Sequence, residues 1–529
     1  MTDLTAIDLT ALDDATLGAW ALEHLKSVVA IDSASDERSD TVPSTEGQAH
    51  LADYLAGFFA ELGAEVERDD FANIIATFPG RGPGASQPPV ALMVHLDTAR
   101  GTAALTDLNV LSSWGGDRIP YPENDRLQVD VETYPDLTAF VGQDLVYGTG
   151  KAPFGLDDKL GLTHMMTLAR VLHAHSDLPH PPLLLIGRPD EEIGREEALL
   201  GLAKSLAERG VHTGFTIDGL LPYEINVENF NAAHCGLVFQ KTPVAAGPWQ
   251  VEVQVLGVNT HGATAKSEGH RPATRLTTEI MGALGDLRGD ITPVSFECDP
   301  LRDCDATVRF RLSATTETAA RTHFDALKGA VERVVQPHVC RGAGYVVGTL
   351  EAASGEAEGG IDAALQFIER FLASDGMHPI SAEDSDNRQG YTQPYRIETQ
   401  ETGIRVDLRI RDFTPEGLEA RKDHIRGQVP EGAVATFTDQ YVNMAPRMAH
   451  RPELVAWPKA AAEIARVDVL ERPIRGGTGV DPFLDQGTLV ANLGTGYFAP
   501  ESEKEFTSVQ LMAGHARWLV ALMGVLSAA

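Results

Sequence analysis

Residues 183–194 read LLLIGRPDEEIG, an apolar run that ends in Asp190, Glu191 and Glu192. Three carboxylates in a row suit either a polar loop on an acidic protein or a site for a cation. Three other stretches bear on the choice. VALMVHLDTA sets His95 and Asp97 two apart at a strand end. That spacing turns both to one face, so the imidazole can bind a metal while the aspartate holds its other ring nitrogen. GLDDKLGL places Asp157 and Asp158 after a glycine-rich turn, where a lone pair would simply cap a helix. FTIDGL ends another apolar strand in Asp218. Each motif is weak alone, but four such clusters are hard to treat as independent accidents. Brought together without compensation, the carboxylates would raise one another's pKa values. Two divalent cations about 3.5–4 Å apart would remove that repulsion, supply a hydroxide at neutral pH and polarise a carbonyl. Of the adjacent pair Glu191 and Glu192, one could bind a cation and the other act on a water.

The elements that must position these groups follow from periodicity. Residues 14–30 and 46–63 carry apolar stripes at helical spacing, and 159–174 is a further helix. Short apolar runs at 73–78, 90–94, 183–187 and 213–217 read as strands between them. The alternation predicts an α/β catalytic domain: a mixed, mostly parallel sheet with helices on both faces. Carboxyl ends of such strands are where these folds place their sites.

From residue 248 the texture changes to half-exposed strands and amphipathic helices. Helices are expected at 270–287, 316–335, 361–374 and 414–427. Strands are expected at 292–298, 306–313, 344–350, 378–383, 395–411 and 433–440. DATVRFRLSATTETAARTHFDALKGAVERV and GIRVDLRIRDFTPEGLEARKDHIRGQV share one texture: strand, Thr, acidic helix start, helix. Residues 248–447 are therefore read as an inserted α+β lid that looks duplicated, built of ferredoxin-like units. Residues 1–247 and 448–529 form the two parts of the catalytic domain, closed by a helix at 452–465, a strand at 489–493 and a helix at 507–527.

Length and composition agree. A chain of 529 residues exceeds one core. With 43 Lys and Arg against 76 Asp and Glu, the net charge of −33 disfavours nucleic acid and anionic membrane surfaces as partners. No apolar run reads as a membrane span, and the acidic N-terminus does not read as a signal peptide. Four cysteines without a CxxC pair fit free thiols in a cytoplasmic protein.

With these residues in view, the chain resembles the peptidase T branch of the co-catalytic zinc peptidases, a family that includes carboxypeptidase G and the aminoacylases. VPSTEGQ (42–48), HLDT (95–98), GTGKAPFGLDDKLG (148–161), PDEEIG (189–194), TIDG (216–219), ENFNAA (228–233), NTHGATAK (259–266), RIRDF (409–413), EARK (419–422), RPIRGGT (472–478) and NLGTG (492–496) carry the resemblance, in family order. It implies hydrolysis of short peptides from the N-terminus by a tripeptide aminopeptidase or dipeptidase, with two divalent metal ions, zinc first. His95 would bind one metal, Asp157 bridge both, Glu192 bind one and Asp218 the other. Glu191 would be the general base, Asp97 would orient His95, and His261 would stabilise the oxyanion. Asn259 and Arg411 would position substrate, Arg411 by gripping a peptide carboxylate.

Two departures stand out. Where the family has its last metal ligand, a His four residues before a Glu, this chain has Glu501 in GTGYFAPESEKEF. A glutamate ligand is harder and would favour manganese or cobalt; the alternatives are a weak or empty second site, or Glu503 or His515 as the ligand, neither of which matches the family spacing. About 90 residues, between roughly 290 and 376, are also extra. The duplicated lid could pair its own sheet edges, giving a monomer that imitates a dimer; otherwise the lid joins two chains. Two further readings of function stay open: a non-peptide amidohydrolase or deacylase, and an impaired peptide- or metal-binding protein.

Overall fold

The computed structural model describes residues 9–529 except 245–246, 261, 263, 265–268, 355–356, 375–389 and 475. The chain forms two compact units. One comprises residues up to Asp125, Val129–Asn229 and Asn443–Ala529; the other comprises Arg126–Gln128 and Phe230–Val442.

The first unit is built on an eight-stranded sheet. Its order is Glu65–Arg68, Ile74–Phe78, Leu183–Arg188, Val90–His95, Thr213–Gly219, Leu489–Gly494, Glu224–Asn226 and Leu470–Glu471. The four central strands, from Leu183–Arg188 to Leu489–Gly494, run parallel. Antiparallel pairings flank them on both sides. Val90–His95, Leu183–Arg188 and Leu489–Gly494 are buried at every residue. Burial of both faces explains why these strands read as unbroken apolar runs rather than alternating ones. Helices Asp14–Val29, Leu156–Ala174, Glu453–Ala465 and Val509–Ser527 pack together over the sheet. Val509–Ser527 has the length and composition of a membrane span, but 67% of it is buried in this core, and its Trp518 Nε1 donates to Pro458 O at 2.9 Å.

The chain leaves this unit at Asn229 and returns at Asn443. The two asparagines are stapled: Met444 N donates to Asn229 Oδ1 at 2.7 Å, and Asn229 N to Asn443 Oδ1 at 3.4 Å.

The second unit is an antiparallel nine-stranded sheet with helices, and its topology resolves the duplication. One copy runs Trp249–Leu256, helix Ala273–Ala283, Ile291–Cys298, Asp305–Leu312, helix Glu317–Val335, Gly344–Val347. The other runs Asn231–Phe239, helix Ile361–Ser374, Tyr391–Thr399, Ile404–Asp412, helix Pro415–Gln428, Val434–Tyr441. Both are strand–helix–strand–strand–helix–strand, and in both the sheet order is fourth, first, third, second. Even the helix caps correspond. Thr316 accepts from Ala319 N and Thr414 from Gly417 N, each at the start of the second helix. The copies meet at their second strands, where Glu297 pairs with Glu398 and Thr399 Oγ1 bridges both backbone groups of Phe296.

The first copy is thus threaded between the first strand and first helix of the second. That first strand, Asn231–Phe239, lies in the span the sequence reading left to the catalytic domain. It is buried on both faces and lacks alternation, so periodicity gave no signal. The single strand expected at 395–411 is a hairpin, turned where Gln400 N donates to Gly403 O at 2.9 Å. The strand expected at 378–383 lies outside the described residues.

Candidate metal centre

Asp157, Asp158, Glu192 and Asp218 converge on His95. His95, the last residue of Val90–His95, is 1% exposed. Its Nε2 lies 2.9 Å from Asp157 Oδ1 and 3.4 Å from Asp218 Oδ1. Two groups of ligand atoms lie within 4.8 Å of one another: His95, Asp157 and Glu192, and His95, Asp158 and Asp218. Asp158 was read only as one of a pair at a helix start. Here its carboxylate accepts from His95 N at 3.1 Å and Gly161 N at 3.2 Å. Gly161 lets the helix approach the strand of Asp218, since a Cβ there would sit 2.1 Å from Ile217 O.

The electrostatics are those of buried carboxylates crowded around one imidazole. Burial, then the charges of Asp157 and Glu501, push Glu192 well above the usual carboxylate range. Burial, then Asp218, does the same to Asp158. Burial raises Asp218 to about 7, against the opposing pull of His95. Burial works to lower the pKa of His95, but Asp218, Asp157 and Asp97 carry it well above its ordinary value. Glu192 Oε1 is buried without a hydrogen-bond partner. A nitrogen and several oxygens of this kind, close together and uncompensated, fit divalent cations of the zinc, manganese or cobalt class.

Around this cluster the PDEEIG turn is held from two sides. Asp97 is fully buried, and its carboxylate accepts from Glu191 N at 2.9 Å and Glu192 N at 3.1 Å. His95 Nδ1 contacts the Asp97 backbone oxygen at 2.9 Å, with the carboxylate at 3.5 Å. The Asp97 side chain therefore orients the two glutamates, while its backbone orients the histidine. Asp190 points away from the cluster. It has φ of 57° and accepts from Ser44 N at 2.8 Å, Ser44 Oγ at 2.5 Å and Gln48 Nε2 at 2.7 Å. Ser44 and Gln48 belong to VPSTEGQ, a stretch with no chemistry legible in it.

The remaining named residues are placed as follows. Glu501, at φ of 54°, acts on Glu192 through its charge but is in neither ligand group. In the second unit, Arg411 Nη1 donates to Ala233 O, Ile410 O and Gln440 Oε1. Asn259 Oδ1 lies 3.6 Å from Cys304 Sγ. His261 lies outside the described residues. His515, on the closing helix, is stacked between His164 and Tyr223.

No protein-family model matches the chain. It is 26% identical over 502 residues to peptidase T of Serratia proteamaculans, spanning 93% of this chain and 94% of that one. It is 32% identical over 231 residues to peptidase T of an Exiguobacterium species, where the match spans 43% of this chain and about half, 55%, of the relative. The fold is shared with the aminopeptidase PepT structure from Bacillus cereus, at a TM-score of 0.50 and 16% identity, over 96% of this chain and 98% of that one. Over nearly its whole length, this chain is a homologue of peptidase T.

Proposed function

We propose that the chain is a metallopeptidase that releases N-terminal residues from short peptides, as a tripeptide aminopeptidase or dipeptidase. The observation that carries this reading is the convergence of His95, Asp157, Glu192, Asp158 and Asp218 at the carboxyl ends of parallel strands. His95, Asp157, Glu192 and Asp218 would hold two divalent cations, with Glu501 as the further ligand. A bound cation of this class acts as a Lewis acid toward the scissile carbonyl and lowers the pKa of water.

The chain's own groups do the rest. Glu191 takes the proton of the attacking water and returns it to the leaving amine. Asp97 fixes the backbone from which Glu191 projects. His261 is proposed for the oxyanion, and Asn259 and Arg411 for the substrate. Zinc suits the imidazole, whereas the many carboxylates admit manganese or cobalt. A panel of tripeptides, their N-acetylated forms and simple N-acyl amino acids tests the reading. Cleavage of free-amine peptides alone supports it; preference for the acylated compounds would replace it with a deacylase.

The oligomeric state and compartment belong to the same proposal. The lid's two copies join through their own edge strands, which supports a monomer that already contains the pairing a dimer would supply. Free thiols at Cys235, Cys298, Cys304 and Cys340 support a reducing cytoplasm.

A further inference from the structure

The loop that follows Leu489–Gly494 holds one of the two departures from the resemblance, and among its buried groups that the mechanism above does not use are Tyr497 and Glu505. Tyr497 is 4% exposed, and its hydroxyl donates to Asp157 Oδ2 at 3.0 Å. The other oxygen of Asp157 faces His95 Nε2 at 2.9 Å. Glu505 is 1% exposed, and its Oε1 accepts from Gly155 N at 2.7 Å and also from Phe154 N. Phe154 and Gly155 lead directly into Leu156 and Asp157, the start of the helix Leu156–Ala174. Glu505 Oε2 is buried without a partner.

We infer that Tyr497 and Glu505 are positioning residues for Asp157: Tyr497 fixes its carboxylate and Glu505 fixes the backbone that bears it. The inference rests on the reading of Asp157 as a metal ligand. A carboxylate on one side chain has two free torsions, and its partners select the rotamer it presents to an ion. At Asp157 a phenol on one oxygen leaves the other to His95 and whatever cation lies between them. Asp157 and its neighbour Asp158 have non-helical backbone angles within the helix's first turn, so helix hydrogen bonds alone do not set the direction of Asp157. The two N–H bonds to Glu505 hold the turn from outside. Groups in this relation to a ligand change metal affinity by about 10–100-fold when removed.

Titration of chelator-stripped protein with cobalt, read by visible ligand-field absorption, tests this. Tyr497→Phe is expected to keep its circular dichroism, bind cobalt about 10–100-fold more weakly and show a shifted band. Glu505→Ala tests the backbone arm independently and is expected to weaken cobalt binding in the same range. Tyr121→Phe is the control. Its hydroxyl also bonds the loop, at Lys504 O and 2.6 Å; this variant is expected to leave band and affinity unchanged. An unaltered titration in both Tyr497→Phe and Glu505→Ala would overturn the inference. So would an equal loss in Tyr121→Phe, which would mean that loop stability rather than Asp157 orientation is at work. Wild-type protein that takes up no cobalt would overturn the metal-centre reading itself.

Discussion

Replacing Asp97 by Asn tests how the PDEEIG turn is held. In the wild type the two carboxylate oxygens each accept one backbone N–H, from Glu191 and Glu192. An amide can accept one of them, but its NH2 faces the other N–H. The loss is then one charge-assisted bond of about 1.5–3 kcal/mol, plus about 1–3 kcal/mol for a buried donor without an acceptor. Taking the lower part of that range, about 3 kcal/mol, local opening of the turn becomes about 100-fold more frequent, at 1.36 kcal/mol per factor of ten. Peptide-resolved hydrogen exchange over residues 188–196 reads this directly. Protection there is expected to fall about 100-fold while Val90–Val94 and Leu489–Leu493 stay protected. Turnover is expected to fall about 10–100-fold, as for other groups that orient ligands. Unchanged protection at Glu191 and Glu192 would refute the clamp, whatever happened to activity.

Three further predictions are independent of that one. Glu191→Gln is expected to keep its metal content and lose about 10²–10⁴ in turnover, measured by metal analysis beside tripeptide cleavage; near wild-type turnover would remove Glu191 as the base. Burial, and for His24 the nearby Arg170 charge, hold His24 and His164 near a pKa of about 4 in the fold, against 6.5 ordinarily. The unfolded chain thus binds their protons first, and stability falls as pH drops from about 6.5 toward about 4. At pH 5 the cost is about 2 kcal/mol for each, seen as a lower urea midpoint than at pH 8 and a smaller drop in His164→Asn. Light scattering at micromolar concentration is expected to give a monomer of 56.8 kDa; a stable dimer joined through the lid sheet would contradict the internal pairing as its substitute.

The strand-end clusters were legible because burial of both faces makes parallel strands read as apolar runs, and a charge at their end stands out. His95, Glu192 and Asp218 were found this way, Asp157 was read from the helix start after a glycine-rich turn, and the structure brings the four together. The duplicated lid was legible through its third strand and second helix, whose Thr caps repeat. Its first strand was not, because the threading of one copy into the other separates Asn231–Phe239 from its partners in sequence. The supporting groups were equally silent. Ser44, Gln48, Tyr497 and Glu505 act through contacts spanning between 142 and 351 residues, and no local pattern encodes such a contact. Asp190 was read with Glu191 and Glu192 as one acidic patch, yet its left-handed backbone turns it to Ser44 and Gln48 instead.

The central claim is that the His95–Asp157–Glu192–Asp218 cluster makes this chain a metal-dependent peptidase. Tripeptide cleavage by chelator-stripped protein, followed while cobalt, manganese or zinc is added back, tests it most directly. The account predicts no cleavage before addition, then recovery that saturates near two ions per chain with a free N-terminal residue as product. Full cleavage by the stripped protein, or none with any of the three metals, would contradict it.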